Sequence, residues 1–458
     1  SGLPNSVPLG HYLREIGLPM ARFKTGTPAR VDKRSLDFSK MQEQPGDIGE
    51  LAFSFLTTEY KRPKISCYLT YTNEKTHQLI RDNIHLAPMY SGIIEGVGAR
   101  YCPSIEDKVM RFRDRDKHQI FIEPEGLGTT EYYVQGLSTG FPEELQMQIL
   151  KTVPGLEQVK MMRPAYAIEY DCLDPTQLQL SLQHKEIKGL FAAGQINGTS
   201  GYEEAAGQGL LAGINAALLV LNKEPFTMTR SESYIGVMID DLVTKGVSEP
   251  YRLFTSLSEY RLLLRQDNAD LRLTEKGYAL GLVKEDRYAA YLAKKEAIEK
   301  ELARLKEYRV SPHMEKVSSL LQERGSNPLQ KGINAQELLL RPQISYADIK
   351  TLFGDQHLPL SVEQQVEIQI KYAGYIKKQL AEIERFDKKE KKKLPADLDY
   401  LAIKGLSVEA RQKLQKQKPA NIGQASRITG VSPADISVLL IYLEQKRRIG
   451  LEEEKKSE

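Results

Sequence analysis

The sequence contains no tryptophan and only three cysteines in 458 residues. Cys67, Cys102 and Cys172 are widely spaced and form no C-x-x-C pair, so we expect neither structural disulfides nor a zinc site. Apolar runs are also short, well below the roughly 18 residues that cross a bilayer. The first residues show no signal-peptide pattern. These absences predict a cytoplasmic protein that binds no metal.

The sequence also lacks a large excess of positive or negative charge, and it lacks a phosphate-binding glycine motif. The formal net charge is only +3, so any nucleic-acid surface must come from local clusters of lysine and arginine. No G-x-G-x-x-G or P-loop follows a strand pattern at the start of the chain, so the usual phosphate turn for a dinucleotide is absent. Hydrophobic residues at 41% and charged residues at 27% are typical of a globular protein, and the length predicts several domains.

The first half of the chain combines strand and helix patterns. Residues 65–72 are rich in β-formers and predict a strand, and Asn73 is a good cap for the helix that follows. Residues 190–193 predict a short buried strand. It precedes a glycine turn at 194–198 and a small-residue helix at 203–221, which together form a strand, turn and helix unit.

After about residue 225 the pattern becomes helical. Long amphipathic helices are predicted at 288–308 and 361–386, and the charged run 387–393 predicts a linker or helix end. Two short helices follow at 422–428 and 433–443, the second capped by Ser432. Because this second helix is apolar, packing or a protein contact is favoured over reading of DNA.

Cys102 is the candidate nucleophile. It lies between glycines and charged residues in the segment 98–108, where nearby cations would favour a thiolate. The alternative is that Cys102 is a small buried residue, as most cysteines are. Cys67 and Cys172 are better explained as core residues because no basic residues surround them.

Residues 194–209 form a second candidate site, since glycines and alanines let a strand, a turn and a helix approach a ligand closely. The two glutamates at the helix start would repel a phosphate, so a flavin ring edge is favoured there. A third cluster is basic and aromatic. Its arginines could bind phosphates beside Tyr251 and Tyr260, or could pair with nearby carboxylates: Arg252, Arg261, Arg265 and Arg272 against Glu249, Glu259, Asp267 and Asp270.

These segments together resemble the MnmG (GidA) family of bacterial tRNA-modifying flavoproteins. The resemblance extends over nearly the whole chain and follows the family's order, in residues 24–28, 72–77, 94–112, 194–213, 240–272 and 421–443. It implies an FAD-binding, Rossmann-like α/β domain with an inserted nicotinamide-binding α/β domain, followed by an all-α C-terminal domain for tRNA and MnmE. The expected bounds are 1–32 and 96–225 for the FAD-binding domain, 33–95 for the insertion and 226–458 for the helical domain.

The resemblance also implies the reaction. Family members are homodimers that use FAD, NADH and methylene-tetrahydrofolate and act with the GTPase MnmE. They place an aminomethyl or carboxymethylaminomethyl group on C5 of uridine 34, the wobble uridine in the anticodon arm of certain tRNAs. A thiolate that adds to C6 of the uracil makes C5 nucleophilic, and the flavin transfers hydride.

Site residues follow from the same resemblance. The family's cysteine falls on Cys102, and its flavin contacts fall on Ser6 and Gln195, with Gly194, Asn197 and Glu203 as neighbours. The segment for the nicotinamide nucleotide falls on Gly98, Arg100, Tyr101, Pro103, Ser104, Ile105, Glu106, Asp107, Lys108, Arg111 and Phe112. We assign tRNA binding to Lys24, Arg30, Arg252, Arg261 and Arg265.

One departure from the family pattern has a functional consequence. The family begins with a glycine-rich FAD phosphate turn and carries a further cysteine, both of which would precede Ser1. We therefore expect a truncated form that binds FAD weakly or not at all. The alternatives are a noncatalytic RNA-binding or partner-docking scaffold, and the related folate- and flavin-dependent tRNA methyltransferase, which lacks such a helical domain.

Overall fold

A computed structural model of the chain describes residues 7–47, 49, 52–57, 59, 63, 65–92, 94, 96–98, 103–390, 392–395 and 397–457. The chain divides into two compact units. The first unit comprises Ser1–Ala52, Glu59–Thr227 and Met238–Leu253, and the second comprises Phe53–Thr58, Met228–Val237 and Phe254–Glu458.

The strands, in chain order, are β1 (Met20–Thr27), β2 (Arg30–Asp32), β3 (Gln42–Pro45), β4 (Ser66–Tyr71), β5 (Val97–Gly98), β6 (Gln119–Pro124), β7 (Glu131–Gln135), β8 (Met161–Arg163), β9 (Tyr166–Leu173), β10 (Arg309–Val310) and β11 (Ile333–Asn334). The helices are α1 (Val7–Glu15), α2 (Glu74–Asp82), α3 (Ile105–Arg111), α4 (Glu143–Lys151), α5 (Tyr202–Val220), α6 (Tyr234–Lys245), α7 (Ala269–Ala279), α8 (Glu285–Glu307), α9 (Glu315–Glu323), α10 (Ala335–Leu339), α11 (Tyr346–Phe353), α12 (Leu360–Lys371), α13 (Ala373–Glu390), α14 (Val408–Gln417), α15 (Ile422–Arg427) and α16 (Pro433–Ser457).

The first unit contains two sheets. The smaller sheet has the order β5-β1-β9, with β1 parallel to β5 and antiparallel to β9. The larger sheet is antiparallel and has the order β3-β4-β6-β7-β2-β8. The chain leaves the small sheet after β1, returns for β5, leaves again for β6 to β8 and returns in β9. The small sheet is therefore assembled from three separate segments.

The predicted insertion at 33–95 does not coincide with the larger sheet. That sheet begins with β2 at residue 30 and ends with β8 at residue 163, so β6, β7 and β8 lie beyond the predicted boundary. Strand β5, which returns the chain to the small sheet beside β1, is two residues long. The chain then pairs again with β4 and β2, and such long-range pairing leaves no local sequence signal.

Local sequence signals agree with several elements. Asn73 accepts a hydrogen bond from the Thr76 amide at 3.1 Å and caps α2, as predicted. The predicted strand at 65–72 is β4, and the small-residue helix is α5. The predicted strand at 190–193 is wrong. Only one bridge forms there, between Gln183 and Phe191, because Gly189 and Gly194 with φ of 86° and 79° turn the chain at both ends.

The core of the first unit lies mainly on the larger sheet. Alternate residues of β6, Ile120 and Ile122, are fully buried, as expected for strands with one covered face. Helices α2, α3 and α4 contribute apolar side chains to the same cluster, including Ile80, Ile105 and Ile149. A smaller cluster of Phe23, Tyr170 and Cys172 joins β1 and β9. This small cluster fixes the pairing of the two strands that support the candidate site.

The second unit is helical apart from the two-residue pair β10-β11. One apolar cluster spans 298–370 and another spans 394–439. The single helix predicted at 361–386 is instead two helices, α12 and α13, which are separated at Tyr372. Gly374, a poor helix former, lies in the first turn of α13. The cap at Ser432 is confirmed, since its hydroxyl accepts from the Asp435 amide at 3.2 Å. The predicted fold class, α/β followed by a helical C-terminal region, is confirmed.

Candidate active site

A cavity in the first unit is partly open to solvent, and the empty space within its bounds, including that open part, is about 330 Å³. Its walls come from the end of β1, the loop before β5, the start of α3, the loop after β7 and one residue of β9. The lining residues are Lys24, Thr25, Gly26, Pro88, Met89, Ile94, Ser104, Glu106, Ser138, Thr139, Gly140 and Ala167.

Strand β1 carries Lys24 into this cavity. Lys24 is opposite Gly98 in β5 and Glu169 in β9. A Cβ atom at position 98 would lie 3.1 Å from Cε of Lys24, so the glycine leaves the lysine side chain room to pass. Only 6% of Lys24 is exposed, and its Nζ lies 3.5 Å from Oδ2 of the equally buried Asp107. The lysine charge is therefore compensated inside the protein.

The start of α3 is held to the loop after β7. The Ile105 amide donates to the Ser138 carbonyl at 2.8 Å, and the Ser104 hydroxyl caps the helix by accepting from the Asp107 amide at 3.4 Å. Lys108 Nζ donates to the Gly136 carbonyl at 3.1 Å. Gly136 has φ of 102°, and a Cβ there would lie 2.7 Å from a backbone carbonyl oxygen. These contacts fix the position of the residue between them, Glu106.

Glu106 is the most unusual group in the cavity wall. It is 1% exposed, and the Gly140 amide donates to its Oε1 at 3.4 Å. Its Oε2 is buried and has no hydrogen-bond partner among the residues that the structure describes. Burial raises the pKa of Glu106, although hydrogen bonds from Thr139 and Gly140 and the charge of Lys24 reduce the increase. A buried carboxyl in these surroundings favours its neutral form.

The segment 194–209 forms a second buried polar group. Gln208 is fully buried, and its Oε1 accepts from the Gly194 amide at 2.8 Å and from Nδ2 of Asn197 at 3.1 Å. Oδ1 of Asn197 is buried and has no partner within the described part of the chain. Gln195 and Glu203, by contrast, are exposed. The turn therefore presents one buried acceptor and two exposed polar side chains.

Glu204, next to the predicted Glu203, is structural. Its Oε1 lies 3.1 Å from Nε of Arg252 and accepts from the Leu253 amide at 3.1 Å. A Cβ on Gly201 would lie 1.9 Å from Oε2 of Glu204, so that oxygen packs against the backbone of the turn. Glu204 thus joins the start of α5 to residues 252 and 253.

The predicted residues of the segment 98–112 are placed differently from one another. Ser104, Ile105, Glu106 and Asp107 are buried, Pro103 and Lys108 are half-buried, and Arg111 and Phe112 are exposed. Ser104 and Glu106 line the cavity, and Gly98 lies beside Lys24. The predicted Ser6, Arg100, Tyr101 and Cys102 lie outside the described residues, so their roles stay predictions.

The two described cysteines have the surroundings expected of core residues. Cys172 is fully buried, and its thiol donates to the Leu173 carbonyl at 2.9 Å. Burial, with a smaller contribution from Asp174, raises its pKa to about 12. Burial also raises the pKa of Cys67, followed by the charge of Glu123. Both thiols are therefore unsuited to form a thiolate near neutral pH.

The five residues predicted to bind tRNA occupy different environments. Lys24 is buried in the cavity wall. Arg30 lies 3.3 Å from Glu125 and 5.1 Å above the Tyr133 ring. Arg265 is held by Asp267 at 3.1 Å, one of the two alternatives that the sequence left open. Arg252 is exposed and pairs with Glu204 rather than with Glu249.

Arg261 is exposed and makes no ion pair with any described residue. Glu259, the carboxylate nearest to it in sequence, is paired with Arg230 at 3.0 Å. Of the five predicted tRNA contacts, Arg261 is thus the one whose charge is available without breaking a described ion pair.

Sequence reasoning missed two parts of the site. The run Ser138-Thr139-Gly140 forms one cavity wall, and Pro88 and Met89 form another. A run of small polar residues directly after a strand is a usable signal for the first wall, but nothing local indicates the second. No group of histidine, cysteine or acidic residues suited to a metal ion occurs among the described residues. Within the same residues, none of the helices is long and apolar enough to span a membrane.

Comparison with protein families gives three matches. The family model described as glucose inhibited division protein A matches residues 1–224. Models of the C-terminal helical domain and the C-terminal helical bundle of the tRNA modifying enzyme MnmG/GidA match residues 285–380 and 382–458. Together these matches follow the α/β and helical parts of the chain.

Individual proteins are similar over almost the whole chain. The tRNA uridine 5-carboxymethylaminomethyl modification enzyme MnmG of Heliobacterium modesticaldum is 59% identical over 448 residues, which are 97% of this chain and 70% of that protein. The enzyme of the same name from Geobacillus kaustophilus is 58% identical over 443 residues, covering 96% and 70%. This chain thus spans about 70% of the length of these relatives.

Solved structures give the same result. Aquifex aeolicus GidA in its form II crystal has a TM-score of 0.83 and 48% identity, and the match covers 95% of this chain and 69% of that chain. The form I crystal gives a TM-score of 0.82 and 49% identity over 95% and 70%.

Proposed function

Because this chain belongs to the MnmG/GidA family, we propose that it takes part in the modification of a tRNA uridine. The modified atom is C5 of wobble uridine 34, and the group added is an aminomethyl or carboxymethylaminomethyl group. Methylene-tetrahydrofolate supplies the carbon and NADH the reducing equivalents, and the GTPase MnmE is the partner. The protein acts in the cytoplasm as a homodimer.

The observation that carries this proposal is the cavity at Glu106. Its walls contain residues of two segments that resemble the family, 24–28 and 94–112, which are far apart in sequence. Cys102 precedes the cavity residue Ser104 by two positions, and two residues of chain span at most about 7 Å. A nucleophile and a buried acid close to one small cavity are what addition to a pyrimidine base requires.

The residues of the segment 194–209 fit the flavin that the family uses. Asn197 carries a buried acceptor oxygen without a partner among the described residues, and such an atom suits an N–H group of a ring edge. Gly194, Gln195, Asn197 and Glu203 would hold FAD at this turn. When bound, FAD supplies hydride transfer between NADH and the folate-derived carbon.

Cys102 is the nucleophile in this proposal. Its thiolate sulfur forms a bond to C6 of the uracil, and the C5–C6 π electrons make C5 nucleophilic. C5 then bonds to the one-carbon unit as a bond between that carbon and a folate nitrogen breaks, and the nitrogen keeps the electron pair. The C5 proton then leaves as the C5–C6 double bond reforms and the sulfur departs from C6. Burial of Lys24, Asp107 and Glu106 keeps water from the surrounding wall.

The helical C-terminal region is the proposed site of tRNA and MnmE binding. We assign MnmE docking to residues 422–448, which include α15 and the start of α16. Arg261 is the favoured phosphate contact, since it is exposed and makes no ion pair with a described residue. A noncatalytic RNA-binding scaffold is the competing function.

Mass-spectrometric analysis of tRNA nucleosides tests the proposal. A strain that lacks the protein is supplied with the full-length form carrying either Cys102 or Cys102→Ser. We expect the native form to restore the modified wobble uridine and the serine form to leave it unmodified, at equal protein and flavin content. Restoration by both forms would make Cys102 structural and would favour the scaffold function. Restoration by neither form would contradict the proposed reaction.

A further inference from the structure

We propose that the cavity at Glu106 binds the uracil base of the substrate through its cyclic amide edge, N3–H and O4, with the Glu106 carboxyl group as the partner of that edge. The inference rests on the proposed function, because it takes uridine as the substrate. It assigns base recognition to a residue that the resemblance places in the nicotinamide segment.

The donor and acceptor pattern of Glu106 matches this edge. A neutral carboxyl group has one O–H donor and one carbonyl acceptor side by side. Oε2 lacks a partner among the described residues, whereas the rest of the carboxyl group has the long contact from the Gly140 amide at 3.4 Å and a hydrogen bond from the Thr139 side chain. An O–H on Oε2 can donate to O4 of uracil while Oε1 accepts from N3–H. Binding of the base would thus satisfy a buried polar atom that has no partner within the described part of the chain.

The remaining walls suit a flat ring. Pro88, Met89, Ile94 and Ala167 contribute apolar surface, and Gly26 and Gly140 contribute backbone without side chains. At Gly140 an added Cβ would lie 2.7 Å from the Pro88 ring, so the two walls already touch beside the cavity.

The charges around Glu106 support a neutral carboxyl. Lys24 on β1 is the cation that faces it, but Lys24 pairs with Asp107. Asp107 on α3 and Tyr90 from the loop before β5 are the other titratable groups nearby, and the pKa of Tyr90 is raised by burial and then by Asp107. With Lys24 paired to Asp107, burial is the largest influence on the pKa of Glu106, and it favours the neutral form that can donate to O4.

The same amide edge occurs in flavin and pterin rings, so the experiment must separate these sources. Two anticodon stem-loop RNAs are compared, one with uridine and one with N3-methyluridine at the wobble position. Methylation removes the N3–H donor and blocks the edge. Affinities for this chain are measured by fluorescence anisotropy from about pH 5.5 to about pH 9, a range that includes the titration of buried glutamates. FAD and a reduced folate are titrated in parallel.

Three variants accompany the native chain. Glu106→Gln keeps a neutral donor and acceptor, Glu106→Ala removes both, and Glu123→Gln is the matched control. Glu123 is a carboxyl in β6 whose pKa is also raised by burial, but it does not line the cavity.

We expect the native chain to prefer uridine over N3-methyluridine by about tenfold at low pH, the value of a satisfied buried hydrogen bond. The preference falls as pH rises and the carboxyl ionises. Glu106→Gln keeps the preference at every pH, Glu106→Ala loses it, and Glu123→Gln behaves as the native chain.

Equal binding of both RNAs by the native chain would overturn the assignment of Glu106 while leaving RNA binding intact. A change in FAD or folate affinity in the Glu106 variants, with unchanged discrimination between the RNAs, would overturn it in favour of a cofactor ring. If neither RNA binds, the proposed tRNA function fails and the inference fails with it.

Discussion

Two buried glutamates in the first unit show how local partners decide the role of a carboxyl group. Glu204 at the start of α5 is 5% exposed and has both the Arg252 guanidinium and the Leu253 amide at 3.1 Å. Glu106 in α3 is 1% exposed and has a long contact from the Gly140 amide and a hydrogen bond from the Thr139 side chain. Both contacts of Glu204 go to Oε1, and Oε2 of either glutamate is buried without a hydrogen-bond partner among the described residues. The glutamates differ in their surroundings, because Oε2 of Glu204 packs against the backbone of Gly201, whereas Glu106 lines the cavity. Arg252 contacts Glu204 directly, whereas Lys24, the cation that faces Glu106, pairs with Asp107. A carboxyl group buried with its own cation is therefore structural, and one whose cation is paired elsewhere is a candidate binding group.

Removal of Lys24, the cation that pairs with Asp107 and faces Glu106, should have the largest effect on stability. Lys24→Met leaves Asp107 buried without its partner, and breaking such a pair costs about 3 kcal/mol. It also removes the positive charge that lowers the pKa of Glu106. Denaturant unfolding of the chain measures the cost.

Arg34→Gln is the matched control for Lys24→Met. Arg34 pairs with Asp32 at 2.7 Å, but its side chain is 76% exposed. Its loss should therefore cost less than about 1 kcal/mol. Equal costs for the two variants would show that burial does not distinguish these pairs.

Replacement of each glutamate by glutamine should affect the free energy of unfolding differently near neutral pH. Glu204→Gln weakens charge-assisted hydrogen bonds to Arg252 and Leu253, and we expect a loss of roughly 2 kcal/mol. Glu106→Gln replaces a group that burial already disfavours as a charge, so stability should be unchanged or higher. Urea unfolding of both variants on the same day gives the difference. Similar losses for both would mean that Glu106 is a structural carboxylate like Glu204.

Sequence patterns predicted individual helices and strands better than the pairing of strands in the sheets. Asn73 with Thr76 gave the start of α2 because a cap is a local interaction. Pairing of β6 to β8 with earlier strands could not be predicted, since it depends on residues tens of positions apart. The predicted strand at 190–193 failed because two glycines with positive φ bend the chain away from a ladder.

The candidate site could be predicted only in part, because its walls come from segments that are far apart in the sequence. Lys24 and the segment from Gly98 to Phe112 were singled out, yet their meeting in one cavity depends on the parallel pairing of β1 with β5. The third wall at Ser138 to Gly140 comes from the loop after β7, whose contact with α3 is visible only in the folded chain. The missing partner of Oε2 in Glu106 is likewise a property of packing.

The most direct test of the account is the pH dependence of stability that Glu106 contributes. The free energy of unfolding of the native chain is measured from about pH 4.5 to about pH 8, and that of Glu106→Gln is subtracted to remove the other titrating groups. The pKa of Glu106 is raised in the folded state by burial. Its favourable contribution is therefore complete below the ordinary value of 4.5 and is lost as pH rises through the folded-state pKa.

We predict that the native chain loses stability relative to Glu106→Gln over this range, by about 1.4 kcal/mol for each unit by which the pKa is raised. A difference that stays constant across the range, or one that grows in favour of the native chain as pH rises, would show that Glu106 is a charged, paired carboxylate. Its assignment as the neutral group that recognises the base would then be wrong.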